Sequence, residues 1–357
     1  MRRQTHIIGL VLVVLFSSFF GCKSKKDATT EKEDLSAYLM VYFKDDDHSL
    51  HLALSTDGKS FTDINKGKAI VAGDTIASQK GIRDPHISRS PDGAFYIVMT
   101  DLHIFGKEKG YRDTEWERPG EKYDWGNNRG FVLMKSYDLI NWTHSNFLFD
   151  EAFEGFEDIG CAWAPQAIYD PQEDKMMVYF TMRMGHGLTK LYYAYANKEF
   201  TELITKPELL FEYPDETIQL LDADITPMPD GRYCMMYVAQ ERPIGVKMAV
   251  SNYINKGYEY KPEWVDKEPG SCEAPNVWKR LDSDKWILMY DIYSISPHNF
   301  GFVETTDFKT FKEIGHFNEC EMKTTNFTSP KHGAVIHLTK TEALRLANHW
   351  NYDLKLN

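Results

Sequence analysis

Three acidic residues sit where acids are costly. Asp84 lies in IRDPHI (82–87), Asp222 in LLDADIT (220–226) and Glu273 in CEAPNVW (272–278). Each run is otherwise apolar or β-rich, and Asp and Glu are almost never fully buried unless they are paired. KHGAVIHL (331–338) puts His332 at the matching place, and AWAPQAI (162–168) offers Trp163 and Gln166. Singly, each acid can cap a turn or pair with an arginine, and Asp84 stands between Arg83 and Pro85. At equivalent places in three repeats, a shared purpose is the stronger reading. The chemistry open to such a set is general acid–base work, in which environment holds one carboxyl protonated and another ionised.

Two interleaved series define the elements that must position these residues. One pairs a small or hydroxyl residue and an Asp with an aromatic: Ser55-Thr56-Asp57 with Phe61, Ser136-Tyr137-Asp138 with Trp142, and Thr305-Thr306-Asp307 with Phe311. Degenerate copies stand at Ala196-Asn197 with Phe200 and at Ser251-Asn252-Tyr253. The other series is the five motifs above, four of them followed by a turn and an apolar run: FYIVM, MMVYF, YCMMYV and WILMY. Helical periodicity is nearly absent before Thr341–Trp350, where a short helix capped by Thr341 is expected. Strand units recurring every 40–50 residues predict an all-β, five-bladed β-propeller. A β-sandwich gives no reason for fivefold recurrence. YLMVYF and LHLALS precede the first inner strand and are expected to complete the last blade, closing the ring. The first strand of each blade lines the channel, so Asp84, Asp222, Glu273 and His332 converge on the axis. The charged, Gly-rich and aromatic segment 103–130 reads as a long loop in the first blade.

RDPHI, WAPQ, LDADITPMPDG, CEAPNV and KHGAVI, in this order, resemble glycoside hydrolase family 43 over residues 38–347. That resemblance implies inverting hydrolysis by an α-L-arabinofuranosidase or β-xylosidase acting on plant-type polysaccharides or oligosaccharides. It makes Asp84 the general base, Asp222 the residue that tunes and orients the acid, and Glu273 the general acid. It sets His332 near a calcium ion or water cluster on the axis, a structural metal at most, with no cofactor required. Ala223, Ala274 and Gln166 depart from the family's usual Pro, Gly and acid, and Asp224, two residues on from Asp222, shares its strand face. The choice between Asp222 and Asp224 therefore stays open. An inverting pair stands about 6.5–9.5 Å apart to admit water. Burial and the charge of Asp222 are expected to raise Glu273, while Arg83 or His86 keeps Asp84 ionised. Trp163 is the candidate stacking wall, and Gln166, Arg83 and His86 complete the candidate substrate-binding set.

The 357 residues carry 41 Lys and Arg against 53 Asp and Glu, a net charge of -12 without a basic stripe, which argues against a nucleic-acid partner. Arg2, Arg3 and the apolar run Ile7–Phe20 read as an export signal (1–21). Gly21-Cys22 resembles a lipoprotein cleavage site, so Cys22 is the expected lipid attachment point to a bacterial membrane, at the periplasm or cell surface. A polar tether (22–34) would join it to one catalytic domain (35–357), read as a monomer. Cys161, Cys234, Cys272 and Cys320 form no disulfide framework or metal spacing and are expected to be mostly buried thiols. Asp45-Asp46-Asp47-His48 lacks the Gly and Glu of a calcium-binding EF-hand and reads as a solvated turn. Two rivals remain: a propeller that binds glycan without cutting it, and a glycoside phosphorylase. The second needs cations beside the acid, where the sequence shows only Lys279 and Arg280, at the far end of a strand.

Overall fold

The structure, a computed structural model, describes residues 35–355. The expected export signal, Cys22 and the tether lie outside the described residues. Strands β1 (Leu35–Phe43), β2 (His51–Ser55) and β3 (Ser60–Asp63) open the chain. The first blade is β4 (Ile82–Arg89), β5 (Phe95–Asp101), β6 (Gly130–Ser136) and β7 (Thr143–Leu148). The second is β8 (Ile159–Asp170), β9 (Lys175–Met184), β10 (Lys190–Tyr195) and β11 (Glu208–Leu209). The third is β12 (Leu220–Pro227), β13 (Tyr233–Ala239), β14 (Gly245–Ser251) and β15 (Glu259–Trp264). The fourth is β16 (Glu273–Lys279), β17 (Trp286–Ile292), β18 (Asn299–Thr305) and β19 (Lys312–His316). After the short β20 (Lys323–Thr324), β21 (Lys331–Thr339) pairs antiparallel with β1 and becomes the inner strand of the fifth blade, β21-β1-β2-β3. The inner strands β4, β8, β12, β16 and β21 contact one another in a ring. The fold is therefore an all-β, five-bladed propeller, with the first and last strands of the described residues joined in one blade.

The apolar runs are explained by burial on both faces of each sheet. With a strand period of two, neighbouring residues serve opposite interfaces. Phe95, Ile97 and Met99 of β5 pack toward the fifth blade, and Tyr96 and Val98 toward the second. Ile287 and Met289 of β17 face the fifth blade, and Leu288 and Tyr290 the third. Five apolar clusters result, one in each gap between blades.

The hydroxyl-x-Asp series marks the turn after each blade's third strand. Asp138 Oδ1 accepts the N–H groups of Ile140 and Asn141 at 2.9 and 2.7 Å, and Ser136 Oγ accepts that of Leu139 at 2.9 Å. Asp57 and Asp307 repeat the pattern. The residue after the Asp takes φ near +60° (Gly58 +63°, Leu139 +65°, Phe308 +54°). The side-chain oxygens satisfy backbone donors that such a turn would orphan. The terminal helix runs Lys340–His349, and its cap is Thr339 rather than Thr341. The Thr339 side chain accepts from the Glu342 N–H and the Glu342 side chain returns to the Thr339 N–H, a capping box that decides the start. Cys161, Cys234 and Cys272 are buried free thiols, while Cys320 is partly exposed.

Candidate active site

Each inner strand breaks its ladder register at the same place, with a bulge residue at positive φ: Asp84 (+52°), Ala164 (+44°), Asp222 (+49°), Ala274 (+57°) and His332 (+33°). A bulge re-aims the side chains around it. The bulge N–H groups are held by the preceding blade. Ala164 N–H donates to Thr100 Oγ1 (2.9 Å), Asp222 N–H to Thr181 Oγ1 (3.0 Å), Ala274 N–H to Asp222 Oδ2 (3.1 Å) and His332 N–H to Asp291 Oδ2 (3.2 Å).

The bulges correct one expectation. Asp84, Asp222 and His332 occupy the bulge itself, but Glu273 stands one residue earlier, in register with Arg83, Trp163, Leu221 and Lys331. Two layers of side chains thus line one cavity of about 510 Å³, which holds Asp84, Asp222, Glu273, His332, Trp163 and Arg83 together. Pro85, Pro165 and Pro275 each follow a bulge residue, and aligning on those prolines would have revealed the offset.

The third layer points elsewhere. His86 Nδ1 accepts the Ala167 N–H at 3.2 Å, which leaves Nε2 as the protonated nitrogen. Gln166 Oε1 accepts from the Tyr179 hydroxyl at 2.9 Å, and Tyr179 in turn accepts the Ile225 N–H at 3.0 Å. Asp224 accepts from Asn276 Nδ2 (3.0 Å), Val277 N–H (3.1 Å) and Thr226 Oγ1 (3.0 Å). His86 and Asp224 therefore tie one blade to the next, Gln166 braces the Tyr179 that does the same, and none of the three is among the cavity's lining residues. Their alternation along the strand matches that of the cavity residues, so sequence alone could not separate the two sets.

Electrostatics divide the three inner-strand carboxyls of the cavity. Burial pushes Asp84 up, but the hydrogen bond and charge of His332, the Arg83 guanidinium and the Thr100 hydroxyl outweigh it and hold Asp84 well below the usual carboxylate range. Thr100 Oγ1 donates to Asp84 Oδ2 at 2.7 Å, and His332 Nδ1 lies 3.3 Å from Oδ1. Arg83 is fixed by Asp45 at 2.8 Å. So His332, with Arg83 and Thr100, keeps Asp84 ionised, while His86 faces the Ala167 N–H. Burial raises Glu273; Lys331 opposes the rise and Asp291 adds to it. Burial raises Asp222 to about 7, against His332 and with Glu273 and Asp84. His332 itself is held above its ordinary value by Asp84, Asp222 and Glu273, despite its burial. With Nδ1 turned to Asp84 and the ring favouring its charged form, His332 does not fit a direct calcium ligand, since calcium takes oxygen donors. Its buried Nε2 has no hydrogen-bond partner, but one nitrogen is no coordination set. Among the described residues, no three His, Cys, Asp or Glu side chains converge as a metal-holding group.

Several lining residues were not singled out from the sequence. Asp45, expected in a solvated turn, reaches the cavity, and the His48 beside it is fully buried and stacked on His103 at 4.0 Å. Asp124 and Trp125 come from the 103–130 loop. Asn128 clamps that loop to the second blade through both Ala162 backbone groups (2.7 and 2.8 Å). Trp163 Nε1 donates to Gly126 O at 2.8 Å, and Trp125 meets the Trp163 ring edge-on at 5.6 Å. Arg183 lies over Trp163 at 4.6 Å and donates to the Tyr123 and Trp125 carbonyls, both at 2.8 Å. The loop is thus a built wall of the cavity, not surface decoration.

With this geometry in view, the comparison with known proteins is decisive for the family. A family described as "Probable glycosyl hydrolase domain", related to glycoside hydrolase family 43, matches residues 33–343. The chain belongs to that family. The family-43-related propeller is 27% identical over 159 residues to an α-L-arabinofuranosidase of Bifidobacterium longum subsp. longum, which covers 42% of this chain and 13% of that protein. Among solved structures, a xylan β-1,4-xylosidase from Bacillus halodurans aligns with TM-score 0.54 at 14% identity, covering 79% of this chain and 54% of that one. An endo-arabinase from Bacteroides thetaiotaomicron aligns with TM-score 0.53 at 14% identity, covering 76% and 92%. At these identities the two structures support the shared fold alone. The chain spans only a small part of the curated relative and about half of the xylosidase.

Proposed function

We propose that this chain is an inverting glycoside hydrolase in which Glu273 protonates the leaving oxygen and Asp84 takes a proton from the attacking water. The observation that carries the reading is the opposition within one cavity: Asp84 is held ionised by His332, Arg83 and Thr100, while burial favours the protonated form of Glu273. Asp222 lies between them in function. Its carboxyl accepts the Ala274 N–H next to the acid, which orients the bulge carrying Glu273. Burial raises it to about 7, and the charge of Glu273 adds to the rise, so the two carboxyls titrate as a pair. Trp163 and Trp125 supply apolar ring surface against which a sugar's C–H face packs. A wall from the 103–130 loop favours exo action on a chain end. The names of the relatives favour α-L-arabinofuranosides and β-xylosides as substrates. Export and lipid attachment at Cys22 belong to the same reading, on sequence grounds; mass spectrometry of the mature N-terminus tests them.

The deciding experiment is a panel of nitrophenyl glycosides with product anomers followed by NMR. Hydrolysis with inversion, abolished in D84N, supports the reading; retention of wild-type rates by D84N, D222N and E273Q together overturns it. One observation favours a second reading, phosphorolysis. The cavity holds the cations Arg83, Arg183 and Lys331, which the sequence did not place beside Glu273, together with His298, whose charged form burial disfavours. Each is already engaged: Arg83 and His298 face Asp45, Lys331 faces Asp291 and Glu273, and Arg183 is held by the Tyr123 and Trp125 carbonyls. That pairing favours water as the nucleophile. A rate that requires inorganic phosphate, with a sugar 1-phosphate product, would reverse the choice.

A further inference from the structure

Two buried charged groups beside Glu273 have no part in the acid–base pair. Lys331 precedes the bulge of β21 and is 5% exposed; its Nζ lies 3.6 Å from Glu273 Oε1 and 3.5 Å from Asp291 Oδ2. Asp291 is fully buried on β17, directly opposite Glu273 in the ladder. Its Oδ2 accepts the His332 N–H, and its Oδ1 has no hydrogen-bond partner. Lone buried charges are costly, and an ammonium shared between two carboxyls is stable only when the count of charges suits it.

We propose that Lys331, balanced by Asp291, is a positioning residue that fixes Glu273 and stabilises the carboxylate it becomes after giving up its proton. The proposal rests on the hydrolytic reading with Glu273 as the acid. In the resting site Glu273 carries the proton that its role as acid requires; burial raises Asp291 as well, and Lys331 opposes the rise in both carboxyls. As the glycosidic C–O bond breaks, the Glu273 proton passes to the leaving oxygen, the water oxygen bonds to the anomeric carbon, and the water proton passes to Asp84. A new anion then exists on Glu273, and Lys331 is the nearest cation to it. Asp291 prevents Lys331 from ionising the acid prematurely. The other charged or titratable groups facing Glu273 are His332 from β21, Arg83 and Asp84 from β4, Asp222 from β12 and Tyr293. Of these, Arg83 and His332 are held by Asp45 and Asp84. Stabilisation that appears only as the charge develops acts on kcat rather than KM.

The test uses aryl glycosides of whichever sugar the wild type cleaves, with leaving groups graded from dinitrophenyl to methylphenyl. K331M should lower kcat roughly 10- to 100-fold on the poorest leaving group, part of the 10²–10⁴-fold that general acid catalysis supplies. It should leave KM and the dinitrophenyl rate near wild type, and K331R should restore most of the loss. The double variant K331M/D291N removes the stranded Asp291 charge and should show the same leaving-group dependence with better folding. A loss equal across all leaving groups in both K331M and the double variant, or no loss in either, overturns the proposal. An inactive wild type would overturn the hydrolase reading along with it. An active wild type with leaving-group-independent variants overturns this inference alone.

Discussion

At the level of single side chains, the site depends on keeping two carboxyls in opposite states within one cavity. Asp84 is held low, so it stays ionised through the mildly acidic range, and kcat/KM should stay flat there. Glu273 and Asp222 are both raised, Asp222 to about 7, so activity should fall as pH rises past that region and the pair sheds a proton. A pH–rate profile checks this, and E273Q should lose about 10²–10⁴-fold on poor leaving groups while flattening the alkaline limb. Stability carries the same signature. Asp222 has a folded pKa above its unfolded one, so its contribution is fully present below about 3.9 and is lost as pH rises toward about 7. In thermal melts from pH 4 to pH 7, D222N should therefore gain Tm relative to wild type as pH increases; a constant difference would contradict the assignment. The acids themselves were legible from residue type and repeated place. Their partners were not: Thr100 and Asp291 carry no motif, and Lys331, although it opens KHGAVI, lies far along the chain from the Glu273 it faces.

At the level of strands, the bulge is what turns a ladder into a site. It holds Asp84, Asp222 and His332 at positive φ, where a side chain with a Cβ is strained, and so presents the preceding residue, including Glu273, to the cavity. The strands and their number were readable from the alternation in runs such as FYIVM, since alternate residues fill different blade gaps. The one-residue offset of Glu273 was not, because a bulge adds a residue without altering the apolar pattern around it. Ala274, at φ +57°, bears the strain with no chemical duty beyond its N–H bond to Asp222. A274G keeps that bond and should stabilise the protein by up to about 1 kcal/mol with activity retained. A274V, β-branched at the same dihedral, should cost about 1–3 kcal/mol. Paired chemical-denaturation curves measure both, and equal midpoints for the two variants would show that the bulge is unstrained.

Across the whole molecule, the blades must stay in register for residues more than a hundred positions apart to meet. One series of hydrogen bonds does this at four of the five junctions: His86 to Ala167, Tyr179 to Ile225, Asp224 to Val277 and Asn276 to Val335. At the fifth, between the last blade and the first, the matching position is Ala334, and Arg89 instead reaches across to His337 O (3.2 Å) and Glu342 (2.5 Å). Asp224 is the most heavily used of these ties, accepting from Thr226 on its own strand and from Asn276 and Val277 in the next blade. This separates two acids that sequence left interchangeable. D224A strands two buried donors across the junction, at about 1–3 kcal/mol each. It should lower Tm by several degrees in a single transition, while kcat of the folded protein at low temperature stays within a few-fold of wild type. D222N should do the reverse, losing activity with little change in melting at acidic pH, because the amide oxygen can still accept the Ala274 N–H. Calorimetry alongside initial rates distinguishes the two. If D224A abolished turnover in protein shown to be folded, Asp224 would have to be moved from the joint between blades into the chemistry.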